Sequence, residues 1–202
     1  MAHLTASPNT GPQAGNASFE RSDNLTLDLD RQRRCGFPEV VYGAGKSTDL
    51  IVDILQRQQE AQQNSLVTRI EANTAADVLR AIPEARFNPV ARTLSTADCC
   101  EPIDDASADQ PHVAVVTAGS TDAPVAEEAV ETLHWMSIPH RRFEDIGVAG
   151  PDRLLAAVPM IRKADAVVVI AGMEGALPAA VGGHLDVPIF AVPTSVGYGA
   201  TL

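Results

Sequence analysis

Positive charge is scarce in this chain: 15 Lys and Arg stand against 26 Asp and Glu, a formal net charge of −11 over 202 residues. No run of Lys and Arg is present to release counterions from a phosphate backbone, which argues against nucleic acid as a partner. A small ligand or another protein is expected instead. Long apolar runs are missing as well. No stretch is long enough to span a bilayer, and the opening MAHLTASPNTGPQAGNASFER lacks the apolar segment that a secretory signal needs. Both absences point to the cytoplasm. Cysteine is limited to Cys35 and the adjacent Cys99 and Cys100. That spacing makes neither a disulfide framework nor a metal-ligand set, so free thiols are expected.

With 45% hydrophobic and 20% charged residues, the chain suits one soluble domain, or one domain with a small appendage. Residues 1–28, rich in Ser, Asn, Thr, Gly and Pro, read as a disordered arm. Residues 29–97 read as a small αβ region. There Leu50, Ile51, Ile54 and Leu55 share one face of a helix capped by Ser47 or Thr48, and a strand follows at 65–70. A second helix runs from a cap at Asn73 or Thr74 to Ile82, and 87–96 is extended but weakened at Pro89. Residues 98–111, CCEPIDDASADQPH, combine acid and proline without periodicity and read as a linker.

The main domain, 112–202, alternates strand and helix. Strands are expected at 112–117, 139–145, 164–171 and 188–192, and helices at 124–136, 151–163 (interrupted or bent at Pro159) and 177–183. Such alternation implies an α/β fold with a parallel sheet and right-handed crossovers. In that architecture ligands bind at the loops leaving the carboxyl ends of the strands. Function is therefore expected near 117–122 and across AVVVIAGMEGALPAAVGGHLDVPIFAVPTSVGYG, residues 166–199.

Four shorter motifs bear on chemistry. Gly43-Ala44-Gly45-Lys46-Ser47-Thr48 ends like a phosphate-binding loop, but the first glycine of that pattern would fall at Val40, so a glycine-rich turn before a capped helix is the better reading. The loop from Thr117 to Asp122 either stabilises a phosphate at a helix start or simply caps that helix through Thr121 or Asp122. Glu174 sits between glycines directly after a strand; it could orient a substrate, bind a divalent metal or move a proton, or merely complement the following helix start. His184 and Asp186 lack further ligands nearby, which argues against zinc.

Several longer motifs carry a family resemblance. GFPEVVYGAGKS at 36–47, Thr68-Arg69, Ala91-Arg92-Thr93, VVTAGSTDAPVAEEA at 115–129, DIGVAG at 145–150, AGMEGALPAAVGG and VPTSVGYGA resemble the LarB family. These are pyridinium-3,5-biscarboxylic acid mononucleotide synthases, whose core is similar to the PurE class of aminoimidazole ribonucleotide carboxylases and mutases. The resemblance implies a three-layer, flavodoxin-like core with a parallel sheet, assembling as a homo-oligomer. It implies carboxylation of the pyridinium ring of nicotinic acid adenine dinucleotide by CO2 or bicarbonate, with phosphoanhydride hydrolysis releasing AMP, in nickel-pincer cofactor synthesis.

That chemistry has a physical logic. A pyridinium ring is electron-poor, so a nucleophile must add before the ring can attack carbon dioxide. A base must then remove the proton from the new tetrahedral carbon, and Glu174 is the expected base or metal ligand. Magnesium would assist phosphoanhydride cleavage. By the same resemblance Ser120, Thr121 and Asp122 would hold phosphate or ribose, Arg153 would contact phosphate, Gly172 and Gly175 would border the ring, and Thr194 and Ser195 would donate hydroxyls.

Two departures bear on this reading. The family's GVAGxHR segment has histidine where this chain has Asp152, and the family continues past VPTSVGYGA into a helix, a nucleophilic cysteine and a final strand. Cys35, Cys99 and Cys100 do not match that cysteine motif. A core without the last segment is expected to leave apolar sheet surface uncovered. Two other functions stay open here: a PurE-type carboxylase or mutase of purine synthesis, which would need histidine in the region of Glu174, and a noncatalytic nucleotide-binding or assembly protein.

Overall fold

The structure is a computed structural model that describes residues 20–22, 25–97 and 109–195, without the side chains of 20–22, 25 and 174. Most of the expected arm, nearly all of the expected linker, Cys99, Cys100 and the end of the VPTSVGYGA motif lie outside these residues. The chain divides into two compact units, Met1–Glu39 and Val40–Leu202.

In the first unit β1 (Glu20–Ser22) and β2 (Leu25–Leu27) form an antiparallel pair, followed by the short helix α1 (Arg31–Cys35). Gly36 ends α1 in the left-handed conformation, φ 87°, which glycine adopts without steric penalty. Cys35 is an exposed free thiol.

The second unit contains two four-stranded sheets. The first is built from β3 (Val41–Tyr42), α2 (Thr48–Glu60), β4 (Leu66–Thr68), α3 (Ala72–Ala81), β5 (Arg86–Asn88) and β6 (Thr93–Ser95). Its order is β3-β4-β6-β5, with β3 parallel to β4 and the remaining pairs antiparallel. Ser47 caps α2, accepting from the Leu50 N–H at 3.3 Å, and Ile51, Ile54 and Leu55 are buried as their spacing requires.

Two expectations for this region need correction. The segment 87–96 is a hairpin rather than one extended stretch, because Asn88 Oδ1 accepts from the Val90 and Ala91 N–H groups at 3.0 and 3.2 Å and turns the chain at Pro89. Helix α3 starts earlier than a cap at Asn73 or Thr74 would allow. Ile70 donates its N–H to the Arg92 carbonyl at 3.0 Å, and Glu71, extended at φ −76° and ψ 147°, takes the N-cap position without a side-chain cap bond. A tertiary hydrogen bond thus outweighs local capping preference.

The second sheet follows from β7 (Val113–Thr117), α4 (Ala123–Trp135), β8 (His140–Phe143), α5 (Pro151–Ile161), β9 (Ala166–Ala171), α6 (Ala176–Gly182) and β10 (Ile189–Pro193). All its strands are parallel, in the order β8-β7-β9-β10. Counted within this domain the order is 2-1-3-4, the flavodoxin-like arrangement. Strand pleating sorts the apolar residues to two faces. Ala114, Val116, Val167 and Val169 pack under α5 and α6 with Leu154, Val158, Leu177 and Val181, while Val115 and Ile170 pack against Ala126 and Val130 of α4. The result is a three-layer α/β/α core. Pro159 lies within α5, two residues before its end, so the helix runs through it rather than breaking there.

Helix α4 serves both sheets. Its outer side carries Glu127, Glu128 and Glu131: Arg86 grips Glu131 in bidentate fashion at 3.0 and 2.9 Å, Asn88 donates to Glu127 and Glu131 at 2.8 Å each, and Arg69 pairs with Glu128 at 3.1 Å. Trp135 donates its indole N–H to the Asn64 carbonyl at 3.0 Å. These contacts fix direction. The start of β4 lies beside the end of α4, and Arg69, just past the end of β4, lies nearer its start, so β4 runs antiparallel to α4. As β7 also runs antiparallel to α4, the carboxyl ends of β4 and β7 face the same side.

Candidate functional site

Parallel strands β7 and β9 are neighbours whose connections depart in opposite directions, and the crevice above their carboxyl ends is the switch point where such folds bind ligands. A cavity of about 200 Å³ opens there. The loop after β7 contributes Ala118, Gly119, Thr121 and Asp122; the loop after β8 and the first turn of α5 contribute Gly147, Val148, Ala149 and Arg153. The loop after β9 and the start of α6 contribute Ala171, Gly172, Met173, Ala176 and Leu177.

Small residues let these three loops approach. A Cβ on Gly147 would sit 2.8 Å from the Ala118 carbonyl oxygen, and the Gly147 N–H donates to that same oxygen at 3.1 Å. Asp122 is nearly fully buried. One carboxylate oxygen accepts the Gly119 N–H at 3.1 Å and the other accepts the Thr194 hydroxyl at 2.8 Å, tying the β7 loop to the end of β10. Its carboxylate holds the cavity wall and not the helix start: Asp122 stands at the N-cap of α4, but no side-chain cap bond is made. Arg153 pairs with Asp145, and its guanidinium lies so close to Gly150 that a Cβ there would come within 2.6 Å of Nε. The 3-10 turn Ser120–Asp122 that leads into α4 and the first turn of α5 both border the cavity, and the positive ends of these helix dipoles favour an anion.

The residues singled out from sequence fall into groups. Thr121, Asp122, Arg153 and Gly172 line the cavity together. Thr194 reaches it through Asp122, being buried and committed to that hydrogen bond. Ser120 opens on the other side of the same loop, into a cleft of about 300 Å³ shared with Glu144 and Asp145. Gly175 borders the cavity loop with φ 72° but does not line it, and Ser195 is exposed outside it. Glu174 has its backbone in the 3-10 turn Met173–Gly175 above β9, while its side chain lies outside the described atoms. Asp152 is exposed in the first turn of α5, where the helix dipole favours an acid.

Gly147, Val148 and Ala149 complete the cavity and were not foreseen as site residues. The glycine of the DIGVAG motif was the available signal, since a close backbone approach demands glycine. Among the described residues no three His, Cys, Asp or Glu side chains converge on a metal position. Both Asp122 oxygens are engaged in hydrogen bonds within the cavity wall. No helix among the described residues is long and apolar enough to cross a membrane.

The fold defines a flavodoxin-like α/β protein with a cavity at its switch point. Comparison with known proteins narrows this. Residues 19–98 match the LarB/PurE-like N-terminal domain. The chain is also 36% identical over 187 residues to MJ0165, an uncharacterized protein of Methanocaldococcus jannaschii, covering 89% of this chain and 72% of that relative. The chain belongs to the LarB family, with a PurE-like core and a carboxylase-like function.

Proposed function

We propose that the protein carboxylates the pyridinium ring of nicotinic acid adenine dinucleotide, using carbon dioxide or bicarbonate, and hydrolyses its phosphoanhydride to release AMP for nickel-pincer cofactor synthesis. The observation that supports this most is the switch-point cavity, where two helix starts, Arg153 and glycine-rich backbone surround a space sized for one end of such a ligand.

In this reading the mononucleotide phosphate lies against Thr121 and the first turn of α4, and Arg153 exchanges its exposed pairing with Asp145 for the phosphate. The backbone of Gly172, with Gly175 behind it, borders the ring, and Val148 and Met173 shield it from water. Ser120 and Ser195 add hydroxyl donors at the rim. Glu174, on the turn above β9, takes the proton from the new tetrahedral carbon, so that the ring regains aromaticity as the added nucleophile leaves. No cysteine lines the cavity among the described residues, and the nucleophile is assigned to none of them. The protein is proposed to act in the cytoplasm as a homo-oligomer.

The test is incubation with the dinucleotide, bicarbonate and magnesium, reading AMP by chromatography and the carboxylated mononucleotide by mass. Release of both is expected. Binding without AMP release would reduce the protein to a nucleotide-binding one, and neither binding nor release would overturn the proposal.

A further inference from the structure

Arg153 and Asp145 stand at the boundary between two spaces. Arg153 lines the switch-point cavity, its partner Asp145 lines the neighbouring cleft of about 300 Å³ together with Glu144 and Ser120, and Gly119 borders both. The ion pair uses one corner of the guanidinium. Asp145 takes Nη1, whereas Nε and Nη2 lie against Gly150, where a Cβ would stand 2.6 and 2.8 Å from those two nitrogens. Glycine leaves the guanidinium room to turn from Asp145 to a phosphate in the cavity.

Asp145 cannot retreat when that exchange takes place. Its N–H donates to Thr117 Oγ1 at 3.4 Å, and the next two residues, Ile146 and Gly147, donate to the Thr117 and Ala118 carbonyls at 3.1 Å each. These bonds fasten its backbone to the loop that walls the cavity. Asp145 is also held in left-handed backbone, φ 56°, which is unfavourable for residues with a Cβ and least so for Asp and Asn. A carboxylate freed from Arg153 is therefore left beside the phosphate that replaced it. The nearest acids in the chain add to its charge: Glu144 and Asp152 are both exposed, and Glu144 lies 3.7 Å from Arg142. Between residues 144 and 153 one cation stands among three carboxylates.

Such a neighbourhood distinguishes one negative charge from two. Each phosphate of the dinucleotide carries one. Hydrolysis joins the water oxygen to one phosphorus and breaks that atom's bond to the bridging oxygen, which stays on the other phosphorus, and the two water protons end on the two new monoesters. With a second pKa of about 6, each monoester then gives up most of that proton at pH 7 and approaches two negative charges. Arg153 and the helix starts match the first charge; the second meets Asp145.

We infer that Asp145 is a charge gate, which admits the singly charged phosphate of the substrate and drives out the doubly charged monoester of the product. This rests on the proposed function and adds to it the step by which the site clears. The Asp145 and Arg153 side chains are 68% and 48% exposed, so a water-like dielectric applies. Across roughly 7 Å, the span of a guanidinium with an acceptor on each side, the repulsion weakens binding about threefold for each charge on the phosphate, hence about threefold for the substrate and about ninefold for the product.

Titration calorimetry with nicotinic acid mononucleotide and with its phosphate methyl ester, which keeps a single negative charge, tests the gate. Asp145→Asn removes the charge but retains a side chain that tolerates left-handed backbone. It should tighten the mononucleotide about ninefold and the methyl ester about threefold, and the mononucleotide should inhibit AMP release at correspondingly lower concentration. Asp145→Glu, which keeps the charge, should keep the wild-type ratio. Equal tightening of the two ligands would make Asp145 a mere competitor for Arg153, and unchanged or weaker binding would deny it any repulsion; each result overturns the gate while leaving the function standing. Failure of wild type to bind either ligand would overturn both.

Discussion

His140, at the start of β8, is completely buried, and neither ring nitrogen has a hydrogen-bond partner. Its ring meets that of His134 from α4 edge to face, with centroids 4.7 Å apart. Burial, reinforced by the positive charges of His134 and of Arg142 in β8, pushes its pKa from 6.5 down to about 4, against the weaker opposing pulls of the Ile138 backbone and of Glu127. The folded protein therefore holds His140 neutral where the unfolded chain would protonate it. Stability from this residue is complete above about pH 6.5 and drains as the pH falls toward 4. At 1.36 kcal/mol for each tenfold change in proton affinity, the full loss is about 3 kcal/mol, of which about 2 kcal/mol is gone by pH 5. His140→Phe keeps an aromatic ring against His134 and sacrifices no hydrogen bond. Urea unfolding at pH 7.5 and 5.0 should show wild type losing about 2 kcal/mol more than the variant over that interval. Parallel losses would refute the reasoning, because the remaining nearby groups, His134, Glu131, Glu127, Arg86 and Arg142, are common to both proteins.

Other perturbations follow from the same contacts. Arg86→Ala strands the carboxylate of Glu131, whose side chain is only 4% exposed, and should cost about 3 kcal/mol in chemical denaturation; adding Glu131→Gln should recover part of it. Burial pushes the Glu131 carboxyl up, but hydrogen bonds from Arg86 and Asn88 bring it below its ordinary value. Its contribution should therefore persist above the unfolded pKa and disappear as the pH falls through the lower folded one, seen as an acid-unfolding limb that Arg86→Ala flattens. Thr194→Val removes a hydroxyl from buried Asp122 and should cost about 1–3 kcal/mol by thermal melting. Gly147→Ala forces the β7 and β8 loops apart and should cost about 1–3 kcal/mol while abolishing mononucleotide binding, whereas Gly45→Ala, strained by its φ of 76° but away from the cavity lining, should leave that binding intact.

The parallel core was largely legible in the sequence because its central strands β7 and β9 are runs rich in β-branched residues and its helices carry apolar residues at helical spacing. Loops leaving β7 and β9 were marked by their glycines. What escaped depended on partners distant in the chain. Asp122 reads as a helix cap until Thr194, 72 residues on, is seen bonded to it. Asn88 looked like part of a weak strand and Arg86 lay just before it, yet both lock the first sheet to α4 through Glu127 and Glu131. The hairpin at Pro89 was hidden because an Asn side chain, not a glycine, makes the turn.

A crystal structure of the protein soaked with nicotinic acid mononucleotide would test the central claim most directly. The account predicts the phosphate beside Thr121 and Arg153 with the ring against Gly172, between the loops that follow β7 and β9. Ligand density elsewhere, or an empty cavity at saturating ligand, would contradict it.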